Sequence, residues 1–418
     1  MIVKKVCVPS RRWYENTPRE LCFPNRWNVE KLIPAGHLKP GLSLEKITNL
    51  INNPQQGPTL AALAAEKKEA VIVFDDMTRA TPTYEIVPGV IEVLNNAGIT
   101  DEHIRFVWAL GSHGTYDMSH ARKKLGADIV RRFSVYNHDA FNKNNNLKAG
   151  VSREGVEIFL NREYMQCDLK IGIESMFPHI QAGWSGGGKL IVPGIASIET
   201  IENFHKSQFR DIEQTGFGRW KHNPMVSVFN QAAELSKLDY KFDCLINDRG
   251  GIADLFCGSP QDTYAEGVKH APAHYALNVT DKYDIVIANS YAKASESAIS
   301  YVLATQIVKK DGVIVLLLDA PEGQVYHYLL GAWGTDYGGN MYHEHKAGET
   351  KNFVRRLILN MAYPDNMTCG MICHRHDAEI IESWEDVLKS LEADYSDGAS
   401  VAVINDGTMQ CFTNETIC

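Results

Sequence analysis

The sequence predicts an α/β protein of mostly parallel sheets, and three observations carry that expectation. Short β-branched runs alternate with longer segments of helical spacing, the pattern of βαβ units. The runs end in Gly, Ser, Asp or His, where a parallel sheet presents its loops and gathers its ligands. The length, 418 residues, exceeds one ordinary core and implies two or three domains.

The N-terminus, MIVKKVCVPSRRWYENTPRE, is charged and lacks the apolar core of a signal peptide. AVIVFDD (70–76) reads as a buried strand, being apolar, β-branched and strand-length. YEIVPGVIEVLNNA (84–97) places its apolar residues at helical spacing, and HIRFVWALGSH (103–113) and CDLKIGIES (167–175) are the next strands. Residues 206–280 are mixed in pattern. A second series starts with YDIVIANS at Tyr283, continues through a helix-like 294–310, and reaches GVIVLLLDA (312–320), far too short to span a membrane. SWEDVLKSLEAD reads as a helix and SVAVINDG as a strand entering a turn. The change of pattern near 270–280 sets an expected division into one domain over 1–275 and a second α/β domain over 276–418.

Composition narrows the function classes. A net charge of −9 argues against nucleic acid as a partner, and no segment argues for a membrane. Nine scattered cysteines do not form a disulfide framework, so a reduced, cytoplasmic protein is expected.

Four stretches carry chemistry. Gly183 to Lys189, GWSGGGK, fits the phosphate-loop spacing G-x-x-x-x-G-K, but Leu190 stands where Ser or Thr would hold Mg²⁺, and Pro193 and Gly194 interrupt the helix that should follow. A plain turn, or a loop that brings a lysine to a ligand as cation or nucleophile, are the other readings. His113 and His179 each follow a strand end, and two histidines so placed can face one pocket from opposite sides as acid and base. His205 lies in or at the end of a helix and has the chemistry of a metal ligand. FDDMTRATP (74–82) is either a strand-to-helix cap or an anion site in which Arg79 forks onto a carboxylate or phosphate. CGMICHRH offers Cys369, Cys373, His374 and His376 at no standard zinc spacing, so buried thiols with polar neighbours are expected.

Taken together, DDMTRATP, GSH, the long PHIQAGWSGGGKLIVPGIAS…NFH stretch and the final VAVINDG resemble the lactate racemase family, strongly over about 70–205 and weakly beyond 280. The resemblance implies two α/β domains with the active site in the cleft between them, the first domain binding the cofactor. It implies a nickel-pincer nucleotide tethered to Lys189 and ligated through nickel by His205. His113 and His179 would be the acid/base pair of a racemase or epimerase working by reversible hydride transfer. Asp75, Asp76, Thr78, Gly186, Gly187, Gly188 and Pro193 would hold the cofactor, the glycines by letting backbone approach it, and Arg79 the substrate carboxylate. Enzymes that make the cofactor would be partners. The substrate half departs from the family pattern: NSYAKASESAISYVLATQ has neither Pro-x-Asp nor Gln-x-x-Lys, with Lys293 too early and Gln306 too late. A 2-hydroxy acid other than lactate is therefore expected, with Tyr291, Ser295, Ser297 and Trp333 as pocket candidates. A phosphate-loop hydrolase and a non-catalytic cofactor-binding homologue are the alternatives.

Overall fold

A computed structural model describes residues 3–205, 213–325, 353–361 and 378–413. Trp333 and the Cys369, Cys373, His374, His376 cluster lie outside the described residues.

Two six-stranded sheets organise the molecule. The first runs in the spatial order Ile252–Gly258, Tyr240–Ile246, Leu169–Ser175, Ala70–Asp75, Ile104–Ala109, Ser134–Asn137. Every neighbour pair is parallel except the outermost, Tyr240–Ile246 with Ile252–Gly258. The expected strands at 70, 103 and 167 are the three central ones. Ala70–Asp75 is buried at every position, which explains its unbroken apolar run: helices cover both faces of the sheet. Thr83–Asn96 is one of them, burying Ile86, Val87, Val90, Ile91 and Leu94 at three- and four-residue spacing. The stretch 206–280, mixed in sequence, supplies helix Pro224–Leu235, the two outer strands and helix Pro260–Tyr275.

The second sheet is parallel throughout, in the order Glu379–Ile381, Val354–Met361, Val308–Leu318, Tyr283–Asn289, Ser400–Ile404, Asn28–Leu32. Two expectations need correction here. The helix expected over 294–310 is a single 3₁₀ turn, Ala294–Glu296, then helix Ala298–Ala304, because Val308 already begins the next strand. The N-terminal segment also departs from the 1–275 division. Asn28–Leu32 pairs in parallel with Ser400–Ile404, and Val8, Leu21, Phe23 and Trp27 pack with Ile285, Val315 and Leu391 of the second body.

Each sheet changes direction once. In the first, the chain moves outward from Ala70–Asp75 and returns to place Leu169–Ser175 on its other side. In the second, Tyr283–Asn289 and Ser400–Ile404 flank the equivalent reversal. Ligands of open α/β sheets gather at such points, outside the strands' carboxyl ends. Among the described residues no helix is long and apolar enough to cross a membrane, and the described cysteines are free thiols.

Candidate active site

A cavity of about 420 Å³ lies at the first sheet's reversal point, lined by its strand ends and by residues 293–325 of the second body. Asp75 and Asp76 end the central strand and do different work. Asp75 is tied to the fully buried Lys124 (Nζ to Oδ1 2.7 Å), and its other oxygen accepts from Ser175 N and the Thr81 hydroxyl. Asp76 accepts from Thr78 N at 2.9 Å and Thr78 Oγ1 at 2.5 Å, and faces His113 Nδ1 at 2.5 Å. Burial works to raise the Asp76 carboxyl, but His113 and Arg79 outweigh it and hold it below its ordinary value.

His113 reaches the cavity on a tight turn in which Gly111 is left-handed (φ 56°) and donates to Gly194 O at 2.8 Å, interlocking this loop with the lysine loop. Because Nδ1 donates to Asp76, proton exchange with a ligand runs through Nε2, which lies 3.4 Å from Glu296 Oε1. His179 is set the other way round. Its Nδ1 accepts from Gln181 N (3.2 Å) and Ala182 N (3.0 Å), so the neutral ring carries its proton on Nε2. Burial, followed by the charges of Lys189 and Lys293, keeps this ring well below the usual histidine range and therefore neutral at pH 7. One imidazole is arranged to accept a proton and the other to donate a hydrogen bond.

Lys189 projects from the 3₁₀ turn Gly187–Leu190, and its amine has no hydrogen bond or ion pair among the described residues. Burial, with Arg79 and Lys293 adding to it against Glu174 and Glu296, lowers its pKa to about 8. The turn is held from behind: Gly187 N donates to Asp243 Oδ2 at 3.0 Å, and Asp243 and Glu174 share the buried Lys241 at 2.5 and 3.0 Å. Glu174 also lines the cavity, its carboxyl pushed up to about 7 chiefly by burial.

The glycines need a different explanation from the one expected. A Cβ on Gly188 would lie 2.1 Å from Phe229 O, and one on Gly187 2.9 Å from the Tyr264 ring. Gly186, Gly187 and Gly188 are buried against protein and do not line the cavity, whereas Lys189, Leu190, Pro193 and Gly194 do. They let the loop seat on helices Pro224–Leu235 and Pro260–Tyr275 so that the lysine points inward. The phosphate-loop alternative fails for a related reason: after the turn no helix begins until Ile198, so no helix N-terminus faces the loop.

His205 caps helix Ile198–Phe204, and its Nδ1 lies 2.7 Å from Ile201 O. That carbonyl fixes the proton on Nδ1 and puts the Nε2 lone pair on the other edge, as a metal-ligating histidine requires. No three His, Cys, Asp or Glu side chains converge as a metal site among the described residues.

The second body contributes residues that motif reading passed over. Lys293, judged too early, is buried in the cavity wall with Nζ 2.5 Å from Glu296 Oε2; burial, chiefly, brings it down to about 8. Its loop is clamped by Asp406, in the turn after strand Ser400–Ile404, which accepts from Ala292 N at 2.8 Å, and by Thr408 Oγ1, which accepts from Lys293 N at 3.1 Å. Glu296 also meets Arg79 Nη1 at 2.9 Å. Burial alone would raise Glu296, but Arg79, Lys293 and His113 hold it well below its ordinary value. Arg79 thereby keeps Nε and Nη2 without partners among the described residues. Thr78 lies behind the wall, bridging Asp76 to Arg79. Ser297 is likewise behind it, binding Gln324 Oε1 through N (3.0 Å) and Oγ (2.6 Å). Tyr291 and Ser295 line a smaller neighbouring chamber. Glu174 had a sequence signal, a carboxylate at a strand end; Glu296 and Gln324 had none, since only the fold brings them here.

Residues 14–216 match the lactate racemase N-terminal domain. The lactate racemase of Thermoanaerobacterium thermosaccharolyticum is 25% identical over 294 residues, 69% of each chain. That of Lactiplantibacillus plantarum is 26% identical over 294 residues, 68% of this chain and 69% of its own. The lactate racemase apoprotein structure from T. thermosaccharolyticum superposes with a TM-score of 0.72 at 20% identity, covering 98% of this chain and all of that one. A crystal structure of a protein from Thermotoga maritima gives 0.67 at 17%, covering 91% and 100%. At those identities the superpositions establish the shared fold. In sequence, residues 14–216 resemble the lactate racemase N-terminal domain, and the two lactate racemases resemble this chain over about two thirds of its length.

Proposed function

We propose that the protein is a racemase or epimerase of a 2-hydroxy acid other than lactate, using a nickel-pincer nucleotide tethered to Lys189. The observation that carries this reading is the set Lys189, His205, His113 and His179 around one cavity. The residues fit the cofactor. Lys189 is an amine with no partner among the described residues, depressed to about 8, as a covalent tether requires, and His205 is held in a ligating tautomer. When bound, the nucleotide supplies a reversible acceptor for the substrate's α-hydrogen.

The chain's own groups do the rest. Arg79 takes the substrate carboxylate with Nε and Nη2 while Glu296 and Thr78 hold Nη1. Asp76 keeps the His113 proton on Nδ1, so Nε2 takes the hydroxyl proton of one stereoisomer. His179 supplies an N–H to the oxygen on the other side. To act as base for the opposite stereoisomer it must carry its proton on Nδ1, in place of the hydrogen bonds from Gln181 N and Ala182 N, and present the Nε2 lone pair. Free thiols and the absence of a long apolar helix among the described residues suit a cytoplasmic setting. Lys293, Glu296 and Arg79 converge in the cavity, which favours a working substrate site over the non-catalytic alternative, and turnover of any 2-hydroxy acid would decide between them.

The test is intact-mass spectrometry with peptide mapping on protein made alongside the cofactor-biosynthesis enzymes, together with elemental analysis. A nucleotide-sized adduct on Lys189 with bound nickel is expected. An unmodified Lys189, where a known family member is modified in the same host, overturns the reading.

A further inference from the structure

A second chamber of about 200 Å³ adjoins the first, far above the roughly 10–15 Å³ that one water needs. Consecutive residues face the two spaces: Asp76 and Met77, His113 and Gly114, Glu296 and Ser295. Gln324 and Val325 line both. Gln324 is held in place at this shared boundary, because its Nε2 also donates to Ala294 O at 2.8 Å while its Oε1 holds Ser297.

Aromatic groups dominate this chamber: Trp13, Tyr14, Tyr116 and Tyr291. Its charges are already engaged. Arg11 pairs with Asp319 at 3.1 Å, and Arg12 donates to the carbonyls of Ala80 and Gly250, both at 2.9 Å. His120 lies 2.8 Å from Asp117, and Glu322 accepts from the Tyr14 hydroxyl. By contrast, Tyr116 Oη and Ser295 Oγ have no hydrogen-bond partner among the described residues. Arg12 meets no carboxylate among the described residues, but its Nε and Nη2 are bound to main-chain carbonyls that a second carboxylate or a phosphate would have to displace. A plain alkyl chain would leave two hydroxyls unsatisfied, at a cost. A hydroxylated chain satisfies both sides, with C–H faces on the rings and O–H groups on Tyr116 and Ser295.

We infer that this chamber is a subsite for the distal chain of the substrate, and that the substrate is a 2-hydroxy acid with a polyhydroxylated tail. The inference rests on the proposed function above. Its test is made on the apoprotein, without turnover, by calorimetric titration with lactate, 2-hydroxyhexanoate, malate and gluconate. Gluconate should bind about tenfold or more tighter than the other three. Tyr116→Phe with Ser295→Ala should cut that margin to about threefold or less without changing the melting temperature. Each single variant, tested alone, should account for part of the loss. Tighter binding of malate or 2-hydroxyhexanoate, a margin that survives both substitutions, or no binding of any of the acids would each overturn the subsite. An unmodified Lys189 with gluconate still preferred would instead remove the racemase reading and leave the subsite standing.

Discussion

At the scale of single residues, the site runs on hydrogen bonds that choose tautomers. Asp76→Asn offers His113 Nδ1 an amide instead of a carboxylate, so the proton is no longer confined to Nδ1. The loaded enzyme should lose on the order of 10²–10⁴ in kcat with little change in KM, measured on whichever 2-hydroxy acid it isomerises. An unchanged kcat would show that Asp76 only packs. Lys189 makes a second prediction. Folded, it gives up its proton near pH 8, well below an ordinary lysine. Amine-directed labelling of the apoprotein should therefore reach half its maximal rate at Lys189 near pH 8. The unfolded chain holds that proton up to about 10.4, so stability rises with pH between the two values. Lys189→Met should remove the penalty present below pH 8 and stabilise the apoprotein at pH 7 by on the order of 1–2 kcal/mol, allowing for partial exposure. A melting temperature below that of the wild type at pH 7 would contradict this.

At the scale of elements, the lysine loop is a wedge between helices and not a ligand cradle. Gly188→Ala would put Cβ against the Phe229 carbonyl, a backbone atom that cannot swing aside. The expected loss is roughly 1–3 kcal/mol or more. The labelling midpoint of Lys189 should also return toward that of an ordinary lysine as the loop lifts. Normal stability with a normal midpoint would mean that helix Pro224–Leu235 yields instead. Much of this was legible beforehand. The strands at 70, 103 and 167, and Lys189, His113, His179, Arg79 and His205 at or near their ends, follow from period, strand-end chemistry and motif spacing. The function of the three glycines was not legible, because a glycine tolerates close approach by any neighbour, and the sequence does not say whether that neighbour is ligand or helix.

At the scale of the whole molecule, buried neutral histidines tie stability to pH. His37 sits where the two bodies meet, with Nδ1 3.3 Å from Asn405 Nδ2 and its ring against Tyr275. Burial lowers it to about 3, and His138 and His274 to about 4. Their folded pKa values lie below the unfolded value near 6.5, so the unfolded chain binds the extra protons and stability falls as pH drops from about 6.5 toward 4. Each histidine contributes up to about 1.4 kcal/mol per pH unit in that window. A melting temperature that falls steeply between pH 6.5 and 4 is expected, and one that stays flat across that window would mean these rings are hydrated in solution.

The sequence by itself determined the architecture class, the strand ends that carry chemistry, and the resemblance to lactate racemases, because each is written in local period or in contiguous motifs. Tertiary structure alone decided which body owns residues 3–32, since the partner of Asn28–Leu32 lies at Ser400–Ile404, near the other end of the chain. It also decided that Lys293 and Glu296 face Arg79, and that Gln324 divides two chambers. These are contacts between residues far apart in the chain or on irregular loops. No spacing encodes them, and they exist only once the two sheets have brought their reversal points together.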